Sequence, residues 1–319
     1  ETVQDVFAVT PSALRAARRD RSVREPGVVS LRLPYRDPMD VSAVLDFLGA
    51  HAVAGLETYE GGVFTRVIAA PGGPALVSLS PSEASVRCVV RLGDTRDLVT
   101  VVARVRGLLD LDADPRAIDA ALGRNPALAP LIGARPGLRA PGSVDGYETA
   151  VRTIVGQQIS LAGARTVLGR IVADHGAPAF DAAAGPELAG WRLFPSATGL
   201  AELDPVTLPM PRARGRTVST FAAAVAGGGL VLDAGADRDA LRTDLLALPG
   251  IGPWTADYLL MRTTGHPDVL LASDLVVRKA AADLGVDLAG GQPGWSPWRS
   301  YATYHLWSHL YADIWKDSR

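Results

Sequence analysis

The stretch from Leu248 to Asp274 carries the residues with the clearest chemical potential. Asp274 follows the segment VLLAS and directly precedes a predicted helix that starts near Leu275. A carboxylate in such a place can stabilise developing positive charge, and it can orient or deprotonate a water molecule. From residue type alone, however, a helix cap formed by Asp274 or by Ser273 is the simpler interpretation.

Upstream of Asp274, the segment LPGIGPWTA predicts two helices joined by a tight turn. The first helix ends at Leu248, and Pro253 suits the first turn of the next helix because that position needs no amide hydrogen. Gly250 and Gly252 permit positive φ and close approach of another backbone. The amides of the turn can then point outward together and bind an anion such as a DNA phosphate. A glycine-capped helical hairpin without a ligand is the alternative.

The composition limits how this chain could bind a nucleic acid. Its 319 residues carry a net charge of −2 at pH 7, so any basic surface must be local. Outward-pointing amides in the Gly250–Gly252 turn would reconcile phosphate binding with this charge. Arg212, Arg214 and Arg216 form a local basic cluster, for which a solvated loop is the default interpretation.

Cysteine usage and targeting signals narrow the class of protein. The single cysteine, Cys88, excludes an internal disulfide, a CxxC zinc site and a cysteine-ligated iron–sulfur cluster. No apolar run approaches the roughly 20 residues that span a bilayer, and no apolar segment follows the N-terminal arginines. We therefore expect a cytoplasmic protein without membrane contact. Because Glu1 stands where a methionine would, we also expect a piece of a longer chain.

Strand and helix patterns divide the chain into two main parts. Alternation in VSLRLPYRD and short β-rich runs between glycine, proline and serine predict a small antiparallel sheet, with a helix in DPMDVSAVLDFLGAHAV. After Asp97, strand patterns nearly vanish and helical spacing dominates. We predict an α+β domain over 25–108, an all-α domain over 109–319, and a short, arginine-rich helical remnant over 1–24.

These segments resemble one known family, in order along the chain. LPGIGPWTADYLLMR followed by DVLLASDLVVRKA resembles the helix-hairpin-helix glycosylase superfamily, and best its 3-methyladenine DNA glycosylase II (AlkA) type. ARPGLRAPGSVDGYETAVRTIVGQQIS resembles the start of its central helical domain, and the similarity covers about residues 28 to 315. The resemblance implies removal of alkylated bases, such as 3-methyladenine and 7-methylguanine, from duplex DNA in base excision repair.

The resemblance also assigns the catalytic role. It implies that Asp274 is the catalytic carboxylate, acting on the positive charge that builds on deoxyribose as the N-glycosidic bond breaks. Strand-cutting relatives carry a lysine where this chain has Trp254, and tryptophan cannot form a Schiff base. The resemblance therefore implies a monofunctional enzyme that leaves an abasic site.

Aromatic residues are the candidates for a base pocket. Trp254 and Trp307 match pocket aromatics of the family, and Tyr258 follows Trp254 by four residues on the same helix face. Phe47, in the N-terminal domain, matches a further one. A methylated purine is cationic, and a cation stacks well on indole. The alternative for each ring is an ordinary core position.

A second group of residues is predicted to hold the DNA. A base within a duplex must be flipped out, and a side chain must fill the gap. The family's wedge lies close to the Gln157–Gln158 pair, and we assign it to Gln158, although the best-known members use an apolar residue. Ordinary helix glutamines are the alternative. The predicted DNA contacts are Gly250, Ile251, Gly252, Thr255, Gln157, Gln158 and Ser160.

The histidines do not predict a metal site. His305 and His309 are spaced i, i+4, but the sequence lacks the glutamate of an HExxH zinc motif and suggests no third ligand. We expect no cofactor and no metal held by side chains. The resemblance implies a monovalent cation bound by backbone carbonyls of the hairpin, and it implies a monomer.

Two other functions stay open at the level of sequence. A non-catalytic helix-hairpin-helix module that recognises damaged or kinked DNA would not need Asp274. Near the N-terminus, VFAVTPSALRAARR resembles the tail of an AraC-type helix-turn-helix domain, which some bacteria fuse ahead of such a glycosylase. The chain could then be a regulator in which the other domains are accessory.

Overall fold

The computed structural model describes residues 27–181 and 185–311, and its first part is a five-stranded sheet. The strands are β1 Val28–Pro34, β2 Glu57–Glu60, β3 Val63–Ala70, β4 Gly73–Ser82 and β5 Ser85–Leu92. They pair in the order β1-β5-β4-β3-β2, and every pairing is antiparallel. Tight turns join β2 through β5, and a helix occupies the longer connection from β1 to β2.

Alternating apolar side chains explain how the central strands build a core. Cys88 and Val90 of β5 lie opposite Leu79 and Val77 of β4, and all four are fully buried. Helices α1 (Val41–Ala50) and α2 (Leu98–Leu108) contribute to the same buried cluster. The sheet therefore keeps one apolar face against these two helices, as period-two alternation dictates.

From Leu98 onward, the described ranges contain helices, short 3-10 turns and one isolated β-bridge. A second buried core fills the space between the helices, with Ile154, Phe221 and Leu259 fully buried within it. The helices after α2 are α3 Pro115–Leu122, α4 Ala129–Ala134, α5 Gly146–Gly156, α6 Leu161–His175, α7 Ala197–Glu202, α8 Arg212–Ala226, α9 Arg238–Ala247, α10 Pro253–Thr263, α11 Leu275–Asp283 and α12 Arg299–Tyr311.

A buried ion network joins the sheet to the helical part. Arg66 of β3 donates to Glu57 Oε1 of β2 and to Glu148 Oε2 of α5, each at 2.9 Å. Arg152 of α5 donates to the same two carboxylates at 3.0 and 2.9 Å. Burial alone would raise the pKa of Glu57, but the two arginines hold it below its ordinary value. The two arginines and two glutamates thus form a closed network of ion pairs whose charges cancel.

The architecture confirms the predicted fold class, an α+β domain followed by helices. The helix predicted around residue 45 is shorter than its sequence pattern, because Asp40 accepts the amide of Ala43 and starts α1 at Val41. The boundary after residue 108 stays a prediction, and the predicted remnant over 1–24 lies outside the described residues. In the described ranges, no helix has both the length and the hydropathy that crossing a membrane requires.

Candidate active site

Asp274 accepts four hydrogen bonds, which fix its carboxylate at the start of α11. Oδ1 accepts from the amides of Val276 and Val277 at 2.9 Å each and from Trp307 Nε1 at 3.1 Å. Oδ2 accepts from Trp254 Nε1 at 2.9 Å. All four donors are uncharged, and the helix N-terminus adds positive potential for an anion. Asp274 is therefore a helix cap, and the same bonds orient its carboxylate.

The segment ahead of Asp274 is tied to the helix that carries Trp307. Ser300, at the start of α12, accepts from the amide of Val269 at 3.0 Å. Its hydroxyl also donates to His266 O at 2.6 Å. These two bonds fasten the segment before Asp274 to α12, the helix that carries Trp307. The Asp274 carboxylate and the Trp307 indole are therefore held in a fixed relative position.

Three partly exposed aromatic rings surround the carboxylate. The rings of Trp254 and Tyr258 stack with centroids 5.1 Å apart and an interplanar angle of 8°. The ring of Tyr258 lies 6.2 Å from that of Trp307. Tyr304 packs edge-on against Trp307 at 5.1 Å and supports it from the core side. The arrangement offers ring faces to a flat ligand beside Asp274.

A cation lies next to these rings. The guanidinium carbon of Arg262 is 5.6 Å from the ring centroids of both Phe47 and Tyr258. Its Nη1 donates to Tyr258 Oη at 2.7 Å, and its Nη2 donates to Gly142 O at 3.0 Å. Arg262 is not among the residues predicted from the sequence, although it follows Tyr258 by four residues and so shares its face of α10.

His51, at the end of α1, adjoins Phe47. Their ring centroids are 4.5 Å apart, and His51 Nδ1 lies 2.7 Å from Phe47 O. A carbonyl oxygen can only accept, so Nδ1 carries the hydrogen and Nε2 keeps its lone pair. Burial lowers the pKa of His51 to about 4, so the ring is neutral at pH 7. No sequence spacing singles out this residue.

These groups line one cleft of about 800 Å³ to which both domains contribute. That volume lies within the range of small-molecule pockets and exceeds what a single nucleobase needs. Asp274, Trp254, Tyr258 and Phe47 all line the cleft, and their roles in catalysis and base binding stay predictions. Trp307, also predicted as a pocket residue, is not among the residues that line the cleft and reaches it only through its hydrogen bond to Asp274.

The turn between α9 and α10 shows the predicted positive φ and close approach at Gly250 but not at Gly252, whose φ is −95°. Gly250 has a φ of +86°, and a Cβ there would lie 2.1 Å from Thr217 Oγ1 of α8. Gly252 is the N-cap residue of α10 and offers no side chain to cap the helix. Ile251 is buried, and its amide donates to Leu248 O at 3.2 Å, so it shapes the turn from inside. The amides of Gly250 and Gly252 meet no acceptor within the described residues, which leaves them open to an anion.

Gln157 docks the loop between α5 and α6 onto this hairpin. Its Nε2 donates to Thr255 Oγ1 at 3.0 Å and to Gly250 O at 3.4 Å. Thr255 is buried, so its hydroxyl serves this contact rather than a solvent-facing one. Gln158 is exposed and has a φ of +57°, a conformation that residues other than glycine seldom adopt. The predicted wedge residue thus sits at the tip of a loop that the hairpin holds.

The two histidines of α12 lie in different surroundings. His305 is fully buried, whereas His309 is exposed. Across the described ranges, no group of three or more histidine, cysteine, aspartate or glutamate side chains is arranged to hold a metal ion.

Comparison with known proteins identifies the family. Residues 30–145 match the family model described as the AlkA N-terminal domain. The chain is 32% identical over 290 residues to DNA-3-methyladenine glycosylase 2 of Escherichia coli strain K12, with 89% of this chain and 98% of that protein covered. The chain belongs to the AlkA family.

Longer AlkA-family proteins share more sequence with it. A Mycobacterium tuberculosis protein described as a bifunctional transcriptional activator/DNA repair enzyme AlkA is 46% identical over 318 residues. The match covers 97% of this chain and 63% of the mycobacterial protein, so the chain spans less than two thirds of that relative's length.

Solved structures share the AlkA-family fold at low sequence identity. The 3-methyladenine DNA glycosylase of Archaeoglobus fulgidus has a TM-score of 0.73 at 19% identity, covering 87% of this chain and 97% of that one. The 8-oxoguanine glycosylase/lyase of Clostridium acetobutylicum, solved with double-stranded DNA, has a TM-score of 0.69 at 15% identity, covering 91% and 97%. At these identities the likeness concerns the fold.

Within this AlkA-family fold, the predicted DNA contacts occupy different environments. Gly250, Gly252 and Gln158 are exposed, whereas Ile251 and Thr255 are buried. Ser160 is exposed and caps α6 by accepting from the amide of Gly163 at 3.1 Å. The predicted contacts of all these residues with DNA stay predictions.

Proposed function

We propose that this chain is a DNA glycosylase that flips alkylated bases, 3-methyladenine and 7-methylguanine among them, out of duplex DNA and hydrolyses their N-glycosidic bonds. One observation carries the proposal: two indole N–H groups hold the Asp274 carboxylate at the wall of a cleft large enough for a base. The name of the Escherichia coli relative, DNA-3-methyladenine glycosylase 2, supports the same assignment.

Hydrolysis breaks one bond and forms another at C1′ of the deoxyribose. As the C1′–N bond breaks, its electron pair leaves with the base, and positive charge builds on the sugar. Asp274 stabilises that charge through its fixed carboxylate. A water oxygen then bonds to C1′, and the proton of the water passes to Asp274 or to solvent.

The cleft suits a base that carries a positive charge. The stacked rings of Trp254 and Tyr258 present an electron-rich face to a base alkylated at N3 or N7. When the C1′–N bond breaks, the electron pair neutralises the cationic base, so no residue needs to protonate the leaving base.

We extend the proposal to a monofunctional enzyme that leaves an abasic site. A strand-cutting lyase requires an amine that attacks the sugar. None of the described residues that line the cleft is a lysine, and Trp254 stands at the hairpin position where lyase relatives carry one. Water is then the nucleophile, and the DNA strand stays intact.

The proposed partner is duplex DNA, bound in the cytoplasm by a single copy of the chain. The amides of Gly250 and Gly252 would receive a phosphate, and Gln158 would occupy the gap left by the flipped base. The carbonyls of Leu248 and Gly250 each accept one hydrogen bond, so each keeps a lone pair. A monovalent cation coordinated by backbone oxygens of this turn fits that arrangement.

Release of free base from duplex DNA containing 3-methyladenine, 7-methylguanine or hypoxanthine tests the proposal. Asp274→Asn keeps the size of the side chain but removes its charge, so we expect the single-turnover rate to fall by at least about 100-fold. Asp283→Asn, at the exposed far end of α11, is the matched control and should keep the wild-type rate.

The outcomes separate the two candidate functions. A wild-type chain that binds lesion DNA but releases no base would be the non-catalytic recognition module. Base release by Asp274→Asn at the wild-type rate would show that the chain is a glycosylase but that the charge of Asp274 is not needed for catalysis. Strand cleavage without added alkali would contradict the monofunctional assignment.

A further inference from the structure

Three exposed apolar side chains line the mouth of the cleft. Leu275 is 77% exposed, Leu161 43% and Ile159 38%, and all three are cleft-lining residues. The other large apolar side chains that are exposed within the described ranges are valines that do not line it. Exposed apolar groups gathered at one site mark a surface that binds a partner.

Leu275 lies next to any substrate that reaches Asp274. It is the first residue of α11 and directly follows the aspartate, yet it belongs to neither buried core. The carboxylate must approach C1′ of the extruded nucleotide, and adjacent Cα atoms are only about 3.8 Å apart. The leucine side chain is therefore close to any nucleotide that reaches the carboxylate.

Ile159 and Leu161 occupy a second element of the same cleft. They flank the start of α6 in the loop that also presents Gln158, and Gln157 fixes this loop to the hairpin. The polar tip at Gln158 is thus followed by apolar side chains, which can pack against unstacked bases beside the gap that the glutamine would occupy.

We propose that Ile159, Leu161 and Leu275 form an apolar rim that packs against the unstacked bases on either side of an extruded nucleotide. This proposal rests on the proposed function for its substrate. It adds to the single wedge residue two further DNA contacts, one from the loop at the start of α6 and one from the start of α11. The occupant is duplex DNA at an unstacked step, because the rim is continuous with the cleft and lies beside the open hairpin amides. An apolar protein partner would leave those amides and the Asp274 carboxylate without a ligand.

The test uses a duplex with a stable tetrahydrofuran abasic analogue and 2-aminopurine as the neighbouring base. Binding of the wild-type chain should unstack the 2-aminopurine and raise its fluorescence. We expect Leu275→Ala to weaken binding by about tenfold or more, from lost burial of a leucine side chain, and to reduce the fluorescence change. Leu275→Met, which keeps an apolar side chain of similar volume, should restore both.

Val99→Ala is the matched control, because Val99 is 74% exposed on α2 and does not line the cleft. It should bind as the wild-type chain does. If Leu275→Ala kept wild-type affinity and fluorescence while the wild-type chain released base, the rim would be overturned and the proposed function would stand. If the wild-type chain released no base but the leucine variant still lost affinity, the rim would stand without the enzyme. Absence of wild-type binding to the duplex would overturn the rim, and the base-release assay would still decide the proposed function.

Discussion

The two indole N–H groups that contact Asp274 orient the carboxylate and leave its charge in place. Trp307→Phe would remove one of these hydrogen bonds and keep an aromatic ring. A hydrogen bond to a charged group contributes about 1.5–3 kcal/mol, so we expect base release to slow by roughly 10- to 150-fold. Single-turnover rates at saturating enzyme measure the change.

Trp298→Phe is the control for that substitution. The Trp298 ring packs edge-on against Tyr301 at 5.8 Å, and no hydrogen bond joins it to Asp274. It should leave the rate of base release unchanged. Equal losses in the two variants would mean that Trp307 acts through packing and not through its hydrogen bond.

Among the elements, the hairpin between α9 and α10 depends on Gly250 in two ways. Its φ is +86°, and α8 approaches so closely that a Cβ would lie 2.1 Å from Thr217 Oγ1. We expect Gly250→Ala to distort the turn, weaken DNA binding and lower the free energy of unfolding by about 1–3 kcal/mol. Urea unfolding and DNA titration measure the two effects.

Gly252→Ala is the control that separates the strain at Gly250 from the effect of replacing any glycine in this turn. Gly252 has a φ of −95°, and no heavy atom lies within 4 Å of a Cβ there. The variant should unfold at the wild-type urea concentration. If Gly250→Ala were equally stable, the close approach of α8 would not be what holds the hairpin.

Local signals explain which parts of the site the sequence could predict. The Gly-x-Gly turn, the proline after it and the aspartate ahead of α11 each depend on a few neighbouring residues. The bond from Trp307 to Asp274 spans 33 positions, and that from Gln157 to Thr255 spans 98. Such contacts depend on how whole helices pack, so the rings were predicted as pocket walls and their hydrogen bonds were not.

Across the whole molecule, burial makes stability depend on pH. His305 is fully buried with both ring nitrogens unpartnered among the described residues, and burial lowers its pKa from 6.5 to about 4. Between these values the unfolded chain binds a proton that the folded chain does not. The contribution of neutral His305 to the free energy of unfolding is therefore fully present above about pH 6.5 and is lost as the pH falls toward 4. Asp110 opposes this trend, because burial raises its pKa to about 6.

We expect His305→Leu to raise the free energy of unfolding, and to raise it more at about pH 5 than at about pH 8. The leucine removes two unpartnered polar atoms at either pH and also removes the proton uptake that penalises folding in acid. Urea unfolding at the two pH values measures the difference, and His309→Leu on the exposed face of the same helix is the control. The same gain at both pH values would show that titration of His305 contributes nothing.

The open amides of Gly250 and Gly252 also bear on how this chain would search a chromosome. A surface rich in lysine and arginine neutralises phosphates and releases condensed counterions, so its affinity falls steeply as salt rises. Backbone amides hydrogen-bond a phosphate without neutralising it, and this chain has a net charge of −2. The part of its affinity that these amides supply would therefore change little with ionic strength. In exchange it would gain little long-range electrostatic steering, and it would spend little time bound to undamaged DNA between lesions.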